Sequence, residues 1–446
     1  MTSRPPLVGT PSGEIPRTIA WTVLAVGGAV ALVAAVTDPG AAGGAASQAW
    51  PPFVLVAGLL LVGTVAAEEG VFEVAGRALD RLPSGGPALY AASMTTVAVV
   101  TALLNLDTAV TFLTPVLLAA ARHRRDRSGP DLAAPMLYGC LLMSNAASLL
   151  LPGSNLTNLI VLGHLHLSGG AFAARMAPAW LAASAVTGLV VGLSFRRHFA
   201  PAPRQWPEGR PPTPPALRGP PVAPVPAPAP HRRRPGPIGT AGVLAATTLV
   251  VALRSPALAV LATGLLLVGL HETIWVPPRK RIPLGPVGAA EEGEEEEREV
   301  EEDGRPARAT HLVGAVGGPV LPGLFGIALG AGTVGRAWQG PSWLLAHASV
   351  WLAGPVAALF SILLNNLPAA SLLAARHPAH PFSVLVGLNL GPNLLVTGSL
   401  SSILWWQQAR LAGARPSARE VSRLGLLSVP PAMAAALALL AATGWR

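Results

Sequence analysis

Leu103-Leu104-Asn105-Leu106-Asp107-Thr108 and Leu363-Leu364-Asn365-Asn366-Leu367-Pro368 each interrupt a long apolar stretch with a polar tip, and a second apolar stretch follows each. Further along come Pro152-Gly153-Ser154-Asn155-Leu156-Thr157-Asn158 and, in the other half, Gly391-Pro392-Asn393 with Thr397-Gly398-Ser399-Leu400-Ser401-Ser402. A shift of 244 residues lays Asn145 on Asn389, Leu156 on Leu400 and Thr157 on Ser401. The chain therefore reads as two copies of one unit, each with two polar breaks inside apolar sequence. In secondary transporters, paired interruptions of this kind are the best sequence pointer to the binding site.

Composition places these units in a bilayer. Mean hydropathy is +0.51, hydrophobic residues make up 51% of the chain and charged residues only 12%. Apolar runs such as 18–36, 178–195, 256–270 and 425–443 approach the ~20 residues that cross the hydrocarbon. The counts of 48 Gly and 46 Pro suit membrane helices, where both are tolerated. Residues 1–17 are polar and Pro-rich and no cleavage site stands out after 18–36, so this first run is expected to be a retained span and not a signal peptide. Cys140 is the single cysteine, which excludes an intrachain disulfide and a multi-cysteine metal site. Despite a pI near 11.2, the cations are scattered through loops with no folded soluble domain to present them, so nucleic acid is not expected as a partner.

The expected fold is an all-α polytopic membrane protein built from inverted-topology repeats, with two re-entrant hairpins and two broken transmembrane helices. The spans are about 18–36, 52–69, 133–167 (broken), 178–195, 238–253, 256–274, 311–330, 381–412 (broken) and 425–443, with hairpins at 87–121 and 343–376. The N-terminal repeat half is 1–199 and the C-terminal half 238–443. A Pro/Ala/Arg tract at 200–237 links them as a semi-extended spacer. With the N-terminus in the cytoplasm, the inside loops carry Arg77, Arg81, Arg122, Arg124, Arg125, Arg127, Arg196, Arg197, Arg232-Arg233-Arg234, Arg279-Lys280-Arg281, Arg410, Arg415, Arg419 and Arg423. The outside segments carry only Arg175, Arg254, Arg336, Arg376 and the terminal Arg446. This obeys the positive-inside rule and fits a plasma-membrane protein whose hairpins enter from opposite faces. Charge alone does not distinguish re-entry from two full crossings. The cytoplasmic loop 277–310 contains an acidic block at 291–303 and reads as a solvated loop.

Backbone groups inside hydrocarbon need partners, so non-helical backbone survives there only where protein buries it or water reaches it. If each tip lies near the midplane, the outgoing helix begins there and turns its free N–H groups and positive dipole end towards a cavity. Asn105, Thr108, Asn365 and Asn366 would add amide and hydroxyl groups at the tips. Asn145, Ser154, Asn155 and Thr157 would do so at the first break, and Asn389, Asn393, Thr397 and Ser399 at the second. These thirteen positions, counted with Asp107, are the candidate substrate and ion contacts. The same residues also suit ordinary N-caps of helices in tight interhelical turns. Asp107 is the one acid expected near the bilayer centre, where an acid is costly and marks a functional site by default. Glu68 and Glu69 read as an interfacial helix end, Cys140 as core packing, and Trp50, Trp405 and Trp406 as interface anchors. His164 and His166 fall on opposite sides of a helix, so a shared metal is not expected.

The stretches Leu106–Pro115, Ala147–Asn158, Asn365–Pro368 and Leu390–Trp405 resemble the ion-transporter superfamily, and within it the ArsB-type arsenite/antimonite efflux permeases. The resemblance extends over most of residues 50–443. It implies a scaffold and a moving transport domain, with both tips and both broken helices lining one central site. It also implies export of arsenite, antimonite or a similar small inorganic anion by alternating access. This chain departs from that family at Asn145, where an acid is usual, and at Asn389-Leu390-Gly391-Pro392-Asn393, where an Asp-Leu-Gly-Pro-Lys run is usual. A sodium-coupled anion symporter or sodium/proton antiporter of the same superfamily is the alternative, with sodium near Asn105, Asn155, Asn365 and Ser399. The coupling ion is then H+ or Na+, and no cofactor is expected. There is no nucleophile–base pair to suggest an enzyme and no phosphate loop for ATP hydrolysis. The partners implied are the lipid bilayer and a small inorganic anion or metalloid. The sequence is also compatible with a homodimer and with a soluble ATPase docked on the cytoplasmic loops.

Overall fold

The computed structural model describes residues 17–81, 85–126, 131–163, 165, 167–199, 236–274 and 318–444. Most of the Pro-rich tract, the acidic block, His164 and His166 lie outside them. Among the described residues every regular element is helical. Six helices are long and apolar enough to cross a membrane. The protein is a multi-pass membrane protein.

The first half runs through α1 (Arg17–Thr37), α2 (Pro39–Glu68), α3 (Val71–Arg81), α4 (Gly86–Leu103), α5 (Leu106–Asp126), α6 (Ala133–Ala147), α7 (Leu156–Leu162) and α8 (Gly169–Ser194). The second half runs through α9 (Pro237–Ala252), α10 (Ala257–Ile274), α11 (Val320–Ala337), α12 (Gly340–His347), α13 (Val350–Leu364), α14 (Asn366–Leu373), α15 (Pro381–Leu390), α16 (Leu400–Leu411) and α17 (Ala418–Ala442). The two halves share an order of elements: a short helix, a helical hairpin, a broken helix, then a long helix. The pairs are α3 with α12, α4–α5 with α13–α14, α6–α7 with α15–α16, and α8 with α17.

Polar anchors show to which end of the molecule each hairpin returns. At the entrance of the first hairpin, Tyr90 Oη donates to Gly188 O in 2.9 Å, and its ring lies 5.4 Å from that of Phe199. At its exit, Arg122 donates to Ala412 O, and Arg124 donates to Leu79 O in 3.3 Å. Both ends of this hairpin therefore lie at one end of the molecule, the Arg122 end, although α4 is long enough to cross alone. The second hairpin returns to the opposite end. There Gln48 Nε2 donates to Ala374 O in 2.8 Å, and Arg376 donates to Arg336 O in 2.9 Å. The hairpins thus enter from opposite sides, and the repeats are inverted.

The two hydrophobic cores are exchanged between the halves. One gathers Leu113 and Leu117 of the first hairpin with Trp405 and Ala409 of α16. The other gathers Leu367 and Ala370 of the second hairpin with Ile160 and Val161 of α7. Each hairpin is buried against the outgoing half of the other repeat's broken helix.

Several expectations need correction. The expected span 311–330, whose first residues lie outside the described ones, is described as the helix Val320–Ala337 and continues past the expected end. The expected span 52–69 begins at Pro39, where Asp38 caps it by accepting from Ala41 N in 2.9 Å. It continues through Pro51 and Pro52. Trp405 is no interface anchor: it is fully buried, and its indole N–H donates to Leu137 O in 2.9 Å. Glu69 is buried within the fold. Its Oε2 accepts from Gly239 N in 2.6 Å at the start of α9, while His271 lies 3.4 Å away. The sequence reading missed α3 and α12 entirely. Helix α3 is short and amphipathic, burying Phe72 and Leu79 with Phe72 stacked on Phe112 at 5.0 Å. Such a helix lies along an interface and does not span.

Helices α1 and α11 run parallel at backbone contact, with small residues on both faces as in membrane helix pairs. A Cβ on Gly27 would collide with Gly323 O, and one on Gly326 with Gly27 O, whereas Gly28 faces open space. Gly326→Leu should therefore destabilise the protein by about 1–3 kcal/mol, the usual cost of overpacking, and Gly28→Leu should not. Thermal unfolding of both variants in nanodiscs checks this.

Candidate functional site

The four helices that begin inside the molecule are all capped by the polar residues of the breaks. Asn105 Oδ1 accepts from Thr108 N in 2.7 Å, and Asn155 Oδ1 accepts from Thr157 N in 3.1 Å. Asn365 Oδ1 accepts from Leu367 N in 3.4 Å, and Ser399 Oγ accepts from Ser402 N in 3.2 Å. An Asn or Ser at this position satisfies one of the four N–H groups that a helix start leaves free. Asn365 does so with φ +76°, the one positive φ outside glycine among the described residues. With ψ 152° this is an extended positive-φ conformation that glycine adopts far more readily than other residues, so the tip is strained at Asn365.

Side chains join the four breaks in one chain of contacts. Ser154 Oγ donates to Ala102 O in 3.0 Å, linking the first break to the first tip. Ser401 Oγ donates to Asp107 Oδ1 in 2.6 Å, linking the second broken helix to the same tip. Asn155 Nδ2 donates to Asn389 Oδ1 in 2.7 Å, joining the broken helices. Asn365 Nδ2 donates to Thr397 O in 3.1 Å, joining the second tip to the second break. Tips and breaks from both halves thus meet at one centre, and Asp107 is partly buried within it.

The candidates divide into two groups. Asn145, Asn155, Asn389 and Asn393 are buried in an amide network whose one unpartnered amide atom is Asn145 Oδ1. Asn389 Oδ1 accepts from Ser148 Oγ at 2.6 Å as well as from Asn155, while its Nδ2 donates to Asn158 Oδ1 at 2.9 Å. Asn145 Nδ2 donates to Asn393 Oδ1 at 2.9 Å, and Asn393 Nδ2 donates to Leu142 O at 3.1 Å. Asn145 and Asn389 also make the same bond to the carbonyl four residues back, to Leu141 O and Leu385 O respectively. That is the repeat relation at the level of single atoms. A carboxylate at either place would face that carbonyl without a proton to donate, so the amide suits this interior.

The second group is at the first tip, where Asn105 Nδ2 and Thr108 Oγ1 are buried and have no hydrogen-bond partner. With the Asp107 carboxylate they leave polar capacity for a ligand, since buried polar groups are otherwise paired. Thr157 Oγ1 is likewise buried and unpartnered, on α7, which packs against the second hairpin. The second tip differs. Its Asn365 amide is bonded on both sides, Asn366 is buried at the start of α14, and Thr397 is exposed and contributes its carbonyl. Ser399 Oγ is also occupied, 2.9 Å from Ser402 Oγ. Sequence reasoning missed Ser148 and Asn158 as network members, although Asn158 closes the polar run that begins at Ser154. No group of three or more metal-type ligands occurs among the described residues.

Inverted repeats whose hairpins and broken helices converge on one buried polar centre define a secondary transporter. Residues 12–276, more than half of the chain, match the family model described as CitMHS: Citrate transporter, and the chain belongs to that family. No curated protein matches the chain.

The amide network yields a stability prediction. Asn389→Ala leaves Asn155 Nδ2 and Asn158 Oδ1 without their partner, at about 1–3 kcal/mol per unsatisfied group, while Ser148 keeps Asn145 O. It should lower thermal stability below that of Asn365→Ala, which removes a long cap bond worth about 1 kcal/mol and one bond to Thr397 O but strands no buried amide. Thermal unfolding of the two purified variants checks the order.

Proposed function

We propose that this chain is a secondary active transporter that carries a small carboxylate anion such as citrate across the plasma membrane by alternating access. The cytoplasmic side would be the Arg122 end and the coupling cation would sit at the first hairpin tip. The observation that carries this reading is the Asp107 carboxylate at the meeting point of tip and break, beside the unpartnered Asn105 amide and Thr108 hydroxyl. The Asp107 carboxylate with the Ser401 and Thr108 hydroxyls is a hard-oxygen set suited to a proton or Na+, while the free Asn105 Nδ2 is a donor that suits the anion. The helix starts at Leu106 and Asn366 offer N–H groups and a positive dipole end to the anion. The substrate class follows from the description of the family. Arsenite or antimonite efflux is the second reading, favoured by the Gly398–Trp405 stretch.

Asp107→Asn keeps an oxygen to accept from Ser401 but removes the charge. In proteoliposomes this variant should fold with a thermal transition like that of the native chain and lose cation-coupled citrate uptake to background. Native flux in the variant would remove Asp107 from the mechanism. Arsenite extrusion, with no citrate flux, from vesicles holding the native protein would select the second reading.

A further inference from the structure

The Arg336 end of the molecule contains a cavity of about 690 Å³, within the range that takes a small ligand. Its wall is mostly apolar, with Trp50 and Pro52 of α2 and Val250 of α9, and its polar lining includes Gln48, Arg254 and Arg336. Pro152, the residue that opens the first break, also lines it. The cavity therefore leads from one end of the protein to the edge of the central polar site.

The two guanidinium groups are not neutralised. Arg336 donates to Gly332 O at 3.0 Å, Gly44 O at 2.9 Å and Gln48 Oε1 at 2.7 Å, all uncharged acceptors. No ion pair forms at Arg254 or Arg336 among the described residues. No acid lines the cavity. Among the described residues the acid at this end is Asp38, whose carboxylate caps α2 through Ala41 N. Cations with low-dielectric walls around them focus field lines and concentrate anions, and a guanidinium fork matches a carboxylate or another oxyanion.

We propose that this cavity is a second anion site, in which Arg254 and Arg336 hold a carboxylate or oxyanion at the mouth of the path to the first break. The inference rests on the anion-transport reading for its role, but the binding itself does not require flux. Arg254 lies in the exposed turn between α9 and α10 and is free to swing onto an arriving anion. Arg336 is fixed by its carbonyl bonds and supplies a stationary charge. Gln48 couples the site to the moving parts, because its Nε2 also donates to Ile160 O of α7 at 3.0 Å and to Ala374 O after α14 at 2.8 Å.

The test is equilibrium binding of radiolabelled citrate, and separately of inorganic phosphate, to the full chain in nanodiscs. The native protein should bind at least one probe, and added KCl should weaken that binding. Arg254→Gln and Arg336→Gln should each weaken it roughly tenfold, the value of one charge-assisted contact, and Arg254→Lys should retain most of it. Arg336 bridges α11 to α2, so Arg336→Gln is read only if its thermal transition is native. Arg254→Gln, on an exposed turn, decides the matter otherwise. Unchanged affinity in folded Arg254→Gln overturns the proposal and leaves any bound anion at the tips. Failure of both probes to bind the native chain also overturns it. A protein that binds in this way yet carries no citrate flux would refute the transport reading and leave the site standing.

Discussion

A broken helix inside a membrane protein frees backbone donors and acceptors where no bulk water can take them. In this protein side-chain amides and hydroxyls meet that demand, and Asn389 is the centre of the solution. Its carboxamide accepts from Ser148 and Asn155 and donates to Asn158 and Leu385 O. The first break is thereby fastened to the second broken helix. Removing a partner from a dry network costs more than making the network gains, so each member fixes the others.

Around that centre the halves are interlocked. Trp405 of the second half is buried with the first hairpin, and Ile160 of the first half with the second hairpin. Neither hairpin is complete without the opposite repeat. The outer helices are tied differently, by glycine-mediated backbone contact between α1 and α11 and by the Arg336–Gln48 bridge to α2. Interior and periphery thus depend on different chemistry, and the few polar links between them concentrate at the ends.

The two hairpins and two breaks were legible in the sequence because Asn, Pro and Gly stand out against apolar runs long enough to enter a membrane. The spacing that maps Asn145 onto Asn389 has an atomic counterpart in their equivalent bonds to Leu141 O and Leu385 O. Helices α3 and α12 were invisible to the same reading, since neither has the length of a span and both mix polar with apolar residues. Trp405 was misread because a tryptophan pair near a helix end has the pattern of an interface anchor, and only the third dimension shows Leu137 O waiting for its indole. The division of the candidates into a cross-linked amide network and a sparsely bonded first tip was not legible either. It depends on which amides find partners across the halves, and sequence spacing carries no such information.

The inverted repeat has an energetic consequence. Two halves related by such a symmetry make the inward-open and outward-open shapes exchanges of the same two conformations, which by themselves would be nearly equal in free energy. Aligning the tips on Asn105 and Asn365 sets Asp107 against Leu367. One half carries a carboxylate at its tip and the other an aliphatic side chain, so the degeneracy is lifted by a single charge. Whatever neutralises Asp107 changes the relative depth of the two wells, and the membrane potential acts on that charge alone of the pair. In the proposed alternating-access cycle, the resting balance between the two shapes is then a property of the asymmetry between two residues and not of the architecture they share, while the gradients set the direction of net flux.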